Sequence, residues 1–405
     1  MKVLQINNFY NYGSTGKITR DLHMALLEQG QESLVCYGRG GLSREENTFK
    51  VCSELSSKCN NLYSRISGLM YGGLYPSTKK IQQIIVKEKP DVVHLQCLNC
   101  FFVNIFELIQ WLKENRIKTI LTLHAEFMYT ANCGHAFECD GWQQGCGNCP
   151  RYRKETRSLF FDRTHVSFRK MQQAFRGFAR DLTVVSVSPW LMDRARRSPI
   201  LSDFSHLCIY NGIDTELFRP RDASNLRERH HLNHKKVILH VTAKFSDAPG
   251  HPKGGGYVLE LAKKLPNVQF LVIGKHEIFG TLPDNVTLLG PILDQQRLAE
   301  YYSLADAYVL TSRRETFSMT CVESLCCGTP VFGFKAGAPE MISLPEYSFF
   351  FDQGDTEALA QALQEYCSAE PFHAMSICEL ARKQYAKDVM FENYFELYQK
   401  TAQLL

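Results

Sequence analysis

The chain has 405 residues, 44% hydrophobic and 22% charged, with a formal net charge of +4. That length exceeds what one core normally serves, so two domains are expected, and the charge is too small to imply nucleic acid. No stretch reaches the roughly 18 uninterrupted apolar residues of a membrane helix, and the Asn-rich start MKVLQINNFYNYG is too short for a secretory segment. A cytoplasmic protein is expected, in which the 15 cysteines do not form a disulfide framework.

Residues 2–6 (KVLQI) read as a first strand and 18–27 as a helix, joined by a polar loop, 7–16, whose Gly13 and Gly16 let the backbone approach a ligand. Gly16-Lys17 lacks the spacing of a phosphate-binding P-loop. Residues 33–37 form a second strand, and 42–80 are weakly patterned, predicting loops and a helix. Residues 91–95 and 119–124 are buried strands with a helix, 103–115, between them. His124 closes the second of these, TILTLH, at the carboxyl end where an α/β sheet places its ligands. Ala125 and Glu126 follow.

Cys133, Cys139, Cys146 and Cys149 come next, ending in a Cys-x2-Cys pair before proline. Four thiolates would complete a structural zinc site, with His135 as a fifth candidate. The insert has no regular hydrophobic pattern, so a metal would supply its order; free or partly paired thiols are the alternative. Residues 151–180 carry nine Lys/Arg against two acids, interleaved with apolar side chains. Such a basic amphipathic helix either lies on an anionic membrane surface or packs on the sheet by its apolar face. A strand at 182–188 precedes a helix, 189–197, that begins at Pro189.

Asn211-Gly212-Ile213-Asp214 follows, and after it a second half begins. There the alternation restarts: strand 236–243, helix 256–265, strand 268–274, strand 286–290 and helix 295–304. A polar loop separates Lys244 from Lys253. Residues 307–342, AYVLTSRRETFSMTCVESLCCGTPVFGFKAGAPEMI, then read as strand, loop, helix from about 317, a Gly-Thr-Pro stop, and strand. Glu315 lies in the loop and Glu323 about two turns into the helix. The amides of Thr316, Phe317, Ser318 and Met319 form a helix N-terminus suited to phosphate. Two carboxylates flanking such a site are acceptors for hydroxyls on either side of a diphosphate, such as a sugar and a ribose. Helices at 355–366, 372–383 and 391–405 close the chain.

The Glu-x7-Glu spacing, followed by Gly-Thr-Pro-Val and Gly-x-Pro-Glu and preceded by Asn-Gly-Ile-Asp, resembles the family-4 retaining glycosyltransferases of the GT-B fold. The cysteine segment is similar to the insert of that family's capsule and colanic-acid branch. The resemblance implies an α/β protein of two Rossmann-like parallel-sheet domains facing across a cleft. Residues 1–205, with the insert 131–150 and a returning helix 385–405, would form the acceptor side, and 206–384 the donor-binding domain. The implied reaction moves a hexose-type sugar from a nucleotide-sugar, UDP-linked in preference to GDP-linked, to a hydroxyl of a glycan or lipid-linked acceptor in surface polysaccharide synthesis. It also implies retention of configuration and no catalytic cofactor, and the chain contains no Asp-x-Asp metal motif.

In this family pattern His124 and Glu315 orient the sugar, Glu323 holds the ribose, and the Gly16 loop faces the donor phosphates. Lys253 and, less closely spaced, Lys244 neutralise the diphosphate. Relatives commonly carry Asp directly after the histidine; Ala125 stands there, which leaves Glu126 as the candidate replacement on the acceptor side. Two other readings are a nucleotide-sugar epimerase of the same fold and a nucleotide-sugar-binding protein that has lost turnover.

Overall fold

The computed structural model describes residues 1–232 and 234–403. It divides into two compact units, Met1–Tyr210 with Phe391–Leu405, and Asn211–Met390.

The first unit is built on seven parallel strands: β1 (Lys2–Phe9), β2 (Glu32–Arg39), β3 (Thr48–Lys50), β4 (Val92–Leu95), β5 (Thr119–Leu123), β6 (Leu182–Ser186) and β7 (Ser205–Cys208). Their order is β3-β2-β1-β4-β5-β6-β7, with helices interleaved. A parallel sheet is covered on both faces, so its strands are continuous apolar runs rather than alternating ones. Val3, Leu4, Val93, Leu95, Ile120 and Leu121 are accordingly all fully buried. The order reverses between β1 and β4, a switch point at whose carboxyl edge an α/β sheet opens a crevice.

Three features differ from the sequence expectation. β1 runs on through Phe9, because the buried Asn7 amide is satisfied by the Phe9 carbonyl at 2.8 Å and the Thr19 hydroxyl at 2.9 Å. The following helix, Gly13–Glu28, starts early enough to contain Gly16. The basic stretch is broken: a short helix Tyr152–Glu155 and a longer Thr164–Phe175 are separated by residues that include Arg157 at φ +57°. Phe168, Met171, Phe175 and Phe178 are buried, so the longer helix turns its apolar side to the core. The edge strand β7 escaped notice because its residues are exposed or half-exposed and carry no apolar run.

The last helix, Lys387–Gln403, contributes its residues from Phe391 onward to this unit. Tyr394 shares a 2.9 Å hydrogen bond with Thr122, and Tyr398 one of 2.8 Å with His94 Nδ1. His94 Nε2 meets the Thr122 hydroxyl at 2.8 Å. A buried polar network with every member partnered ties this helix to β4 and β5 in one register.

The second unit has six parallel strands: β8 (Val237–Ser246), β9 (Gln269–Glu277), β10 (Val286–Leu289), β11 (Ala307–Leu310), β12 (Val331–Phe334) and β13 (Ser348–Phe351). Their order, β10-β9-β8-β11-β12-β13, places a second switch point between β8 and β11. Asn211–Asp214 belongs to this unit. Ile213 N donates to the Tyr385 carbonyl at 2.8 Å, Lys387 N to the Ile213 carbonyl at 2.9 Å, and the Lys387 ammonium pairs with Asp214 at 2.8 Å. Gly212 is required there, since a Cβ would stand 2.6 Å from the Lys387 Cα. These bonds carry the crossings to Tyr210/Asn211 and Met390/Phe391 rather than 205/206 and 384/385.

Burial pushes the pKa of His94 down to about 3 and those of His124 and His240 down to about 4. The unfolded chain, with histidine near its usual ~6.5, therefore binds more protons than the folded chain between about pH 4 and 6.5. The stability these rings contribute is complete above about pH 6.5 and is lost as pH falls, by up to about 1.4 kcal/mol per unit for each. Urea unfolding midpoints measured from pH 7.5 to 5 should drop steadily. A flat profile would show that these rings are not held neutral.

Candidate functional site

β11 is a run of four buried residues that ends where the chain turns polar at Thr311. The loop after it is laced to the loop before helix Gly255–Lys264. Thr311 Oγ1 donates to the Lys253 carbonyl at 3.0 Å, and Arg313 N to the Pro252 carbonyl at 2.9 Å. Gly254, at φ +65°, makes this approach feasible; a Cβ there would lie 2.1 Å from the Thr311 carbonyl oxygen. Further on, Glu315 N donates to the Ala336 carbonyl at 2.9 Å and its own carbonyl accepts from Ala338 N at 3.2 Å. The Glu340 carboxylate accepts from the amides of Ala336 and Gly337, each at 2.9 Å. Glu340 thus holds the turn on which Glu315 hangs.

This scaffold brings two expected residues together: Lys253 Nζ meets Glu315 Oε1 at 2.6 Å. The helix, Met319–Cys326, begins later than expected, after Ser318 in the left-handed region at φ +79°. Thr316 and Phe317 precede it, and Glu323 stands about one turn inside rather than two. Glu323 Oε2 accepts from the Tyr302 hydroxyl at 2.8 Å. Thr320 lies on the same side, three residues earlier, and its hydroxyl accepts from Tyr308 at 2.8 Å. Beside Thr320 is a cavity of about 230 Å³, bounded by Val241, Thr242 and Ala243 at the register shift within β8, by Gly274 of β9 and by Ile292. Gly274, at φ +141°, cannot carry a side chain, since a Cβ would fall 1.9 Å from the Thr242 carbonyl oxygen. The cavity and Tyr302 were not identified from sequence, where the available signal was a glycine inside a strand pattern; Glu340 stood in the Gly-x-Pro-Glu motif, but its role in holding the turn was not read from it.

Lys244 does not join this group. It lies on β8 just past a register shift, where its ammonium pairs with Glu277 of the neighbouring strand.

In the first unit, His124 follows β5 and its Nε2 meets Gln96 Oε1 at 3.2 Å. Gln96 donates to Gln5 Oε1 at 2.7 Å, and Gln5 to the Thr19 carbonyl at 3.2 Å. This chain sets the ring's orientation, and desolvation keeps it neutral, with the pKa of about 4 noted above. Gly16 is buried inside its helix, where a Cβ would lie 3.3 Å from the Phe9 carbonyl oxygen and the Asn11 amide. Its contribution is close packing, and the exposed glycine of this turn is Gly13.

Glu126 is corrected outright. It is fully buried, and both oxygens are engaged: Oε1 accepts from Tyr129 at 2.6 Å and Arg194 at 2.7 Å, Oε2 from Ala136 N at 2.6 Å. Nothing remains to act on an acceptor.

The cysteine insert is ordered by the same group. Trp142, 1% exposed, packs edge-on to Tyr129 with centroids 5.1 Å apart. The Arg194 guanidinium sits 4.8 Å from the Trp142 ring and 5.0 Å from that of Trp190. The other three thiols lie close enough to Cys133 that, after burial and Glu155, they raise its pKa further; burial takes that of Cys146 to about 12. Among the described residues, however, no three His, Cys, Asp or Glu side chains are arranged to hold a metal. The structural zinc expected at Cys133, Cys139, Cys146 and Cys149 is thus not drawn as a ligand cluster, and the contacts of Trp142 with Tyr129 and Arg194 are a separate source of order for the insert.

Comparison with known proteins agrees with this geometry. Residues 251–368 match the family described as Glycosyl transferases group 1. A protein of Escherichia coli K12 named as a colanic acid biosynthesis glycosyl transferase, WcaC, is 23% identical over 98% of this chain and 100% of its own length. N-acetyl-alpha-D-glucosaminyl L-malate synthase of Bacillus anthracis is 25% identical over 41% of this chain and 45% of its own. Among solved structures, sucrose-phosphate synthase from Thermosynechococcus elongatus superposes with a TM-score of 0.68 at 16% identity, covering 99% of both chains. Anabaena HepE in complex with UDP gives 0.66 at 18% identity, covering 99% of this chain and 100% of that one. These likenesses establish the GT-B architecture of two Rossmann-like units.

Proposed function

We propose that this chain, whose residues 251–368 form a group 1 glycosyl transferase domain, moves a hexose-type sugar from a nucleotide-sugar to a hydroxyl of a glycan or lipid-linked acceptor. The reading rests chiefly on the pair that Lys253, just before helix Gly255–Lys264, makes at 2.6 Å with Glu315, in the loop preceding the Met319–Cys326 helix. A diphosphate at that helix N-terminus takes the Lys253 ammonium away from Glu315, and the freed carboxylate accepts from sugar hydroxyls. Glu323, aligned by Tyr302, accepts from the ribose hydroxyls. The cavity beside Thr320 receives the base.

Lys253 and the helix amides then stabilise the charge that grows on the departing diphosphate, a preorganised electrostatic contribution. The bond from the anomeric carbon to the phosphate oxygen breaks, and the bond to the acceptor oxygen forms on the same face. The acceptor proton passes to the leaving phosphate, and configuration is retained. No step is routed through a metal. On the first unit, neutral His124 is available to bond a hydroxyl.

UDP is favoured over GDP because HepE was solved with UDP and with UDP-glucose. A role in surface polysaccharide synthesis follows from the full-length similarity to WcaC. Among the described residues no helix is long and apolar enough to cross a membrane. We place the protein in the cytoplasm.

Thermal-shift titration with UDP, GDP, ADP and their sugar conjugates tests this. A ligand at 100 times its dissociation constant adds about 2.7 kcal/mol, and one base should dominate. Glu323→Ala should weaken that ligand by roughly 10- to 100-fold, the range of a charged hydrogen bond. No shift with any nucleotide would overturn the reading.

A further inference from the structure

We infer that helix Glu54–Ser67 and the neighbouring segment 158–161 form an anchoring surface for an anionic lipid bilayer. The helix is inside out. Ser57, Asn60 and Ser64 are buried, at 1%, 7% and 1% exposure, whereas Leu62, Tyr63 and Ile66 on the opposite side are 55%, 48% and 46% exposed. At 100° per residue the two sets occupy opposite faces, the reverse of a surface helix of a water-soluble domain.

Segment 158–161 extends the apolar side. Leu159 N donates to the Arg65 carbonyl at 2.8 Å, and a Cβ on Gly68 would lie 2.5 Å from the Phe161 carbonyl oxygen, so the two segments are in backbone contact. Leu159, Phe160 and Phe161 are 43%, 62% and 52% exposed.

Where the two meet there is a cavity of about 430 Å³ lined by Arg65, Arg153, Arg157, Ser158 and Leu159. Among the described residues none of the three arginines forms an ion pair; Arg153 only donates to the Tyr152 hydroxyl at 3.1 Å and lies over its ring. Planar guanidinium forks suit phosphate oxygens, and a cavity with three of them and no carboxylate calls for an anion. Exposed aromatic and aliphatic side chains rimming a cationic pocket match an interface in which apolar groups enter the acyl boundary while arginines hold lipid phosphates. A protein partner would need acids and apolar groups in matching positions; a bilayer with anionic headgroups provides both without register. The contact belongs here rather than on helix Thr164–Phe175, whose Phe168, Met171 and Phe175 are spent on the core. The inference rests on the proposed function only in that a lipid-linked acceptor resides in such a bilayer.

Flotation of the full chain with vesicles of phosphatidylcholine, alone or mixed with phosphatidylglycerol, tests it. Binding is expected only to the mixed vesicles and should weaken with salt. Phe160→Ser/Phe161→Ser and Arg153→Glu/Arg157→Glu should each lower it by about tenfold or more. Both variants should keep the nucleotide-induced rise in unfolding temperature, which verifies that they are folded. Equal binding to neutral vesicles, no binding, or variants that bind like the parent would overturn the assignment. So would competition by millimolar inorganic phosphate, which would mark a free-anion site, or a dimer in solution that Leu62→Ser/Ile66→Ser dissociates. Nucleotide binding without vesicle binding would defeat this inference alone, and the reverse result would defeat only the transferase reading.

Discussion

Glu126→Ala should lower the free energy of unfolding by about 3–5 kcal/mol, the cost of breaking a buried ion pair by removing one partner. Arg194 would keep its charge at 8% side-chain exposure with no carboxylate against it. The Tyr129 hydroxyl and the Ala136 amide would lose their acceptors as well. Loss of the cluster releases Arg194 from between Trp142 and Trp190, two of the three tryptophans in the chain, so fluorescence-detected urea unfolding reports the event directly. Glu126→Gln, which retains an acceptor for Ala136 but not the charge, should fall between. Chelation should leave the midpoint of the parent protein in place. If Glu126→Ala costs under about 1 kcal/mol while a chelator lowers the midpoint, the insert is held by its thiols and not by this cluster.

The largest catalytic effect is expected at Lys253. Lys253→Ala should reduce kcat/KM for sugar transfer by about 10²–10³, the loss measured when one preorganised charge-stabilising group is removed. Stability should barely change, because the Lys253 side chain is 38% exposed and a partly exposed ion pair contributes little. Glu315→Gln should also depress turnover, but the double variant should fall short of the product of the two effects, since each residue holds the other before donor binds. Lys244→Ala serves as the internal contrast. Its charge is already engaged by Glu277, so activity should stay within about threefold of the parent. A Lys244→Ala defect equal to that of Lys253→Ala would mean that the two lysines share the phosphates after all.

Much of the architecture was legible along the chain. Buried strands at 91–95 and 119–124, and the unit running from Ala307 to Ile342, announce themselves through local periodicity and Gly or Pro stops, because hydrogen bonding within an element depends on near neighbours. Glu315 and Glu323 became candidates through their spacing and Lys253 through the family resemblance; that Lys253 and Glu315 meet was added by the structure. Gly16 could not: a glycine at a helix start and one in a ligand loop look alike until the helix boundary is known. The polar face of helix Glu54–Ser67 was likewise unreadable, since nothing local tells which side meets the core.

Partnership is where local pattern stops informing. Lys253 and Glu315 are 62 residues apart, Tyr302 and Glu323 are 21, and Glu126 and Arg194 are 68. Such pairs form only when separate strands take their places in a sheet, and they decide which charge is available to a ligand and which is spent on folding. Glu315 and Glu126 each follow a buried strand of their sheet. One ends beside an ammonium that a diphosphate can take away; the other is fully buried against an arginine that is itself held by two tryptophans. Residue type placed both among the candidates, and burial, a property of the assembled layers, separated them.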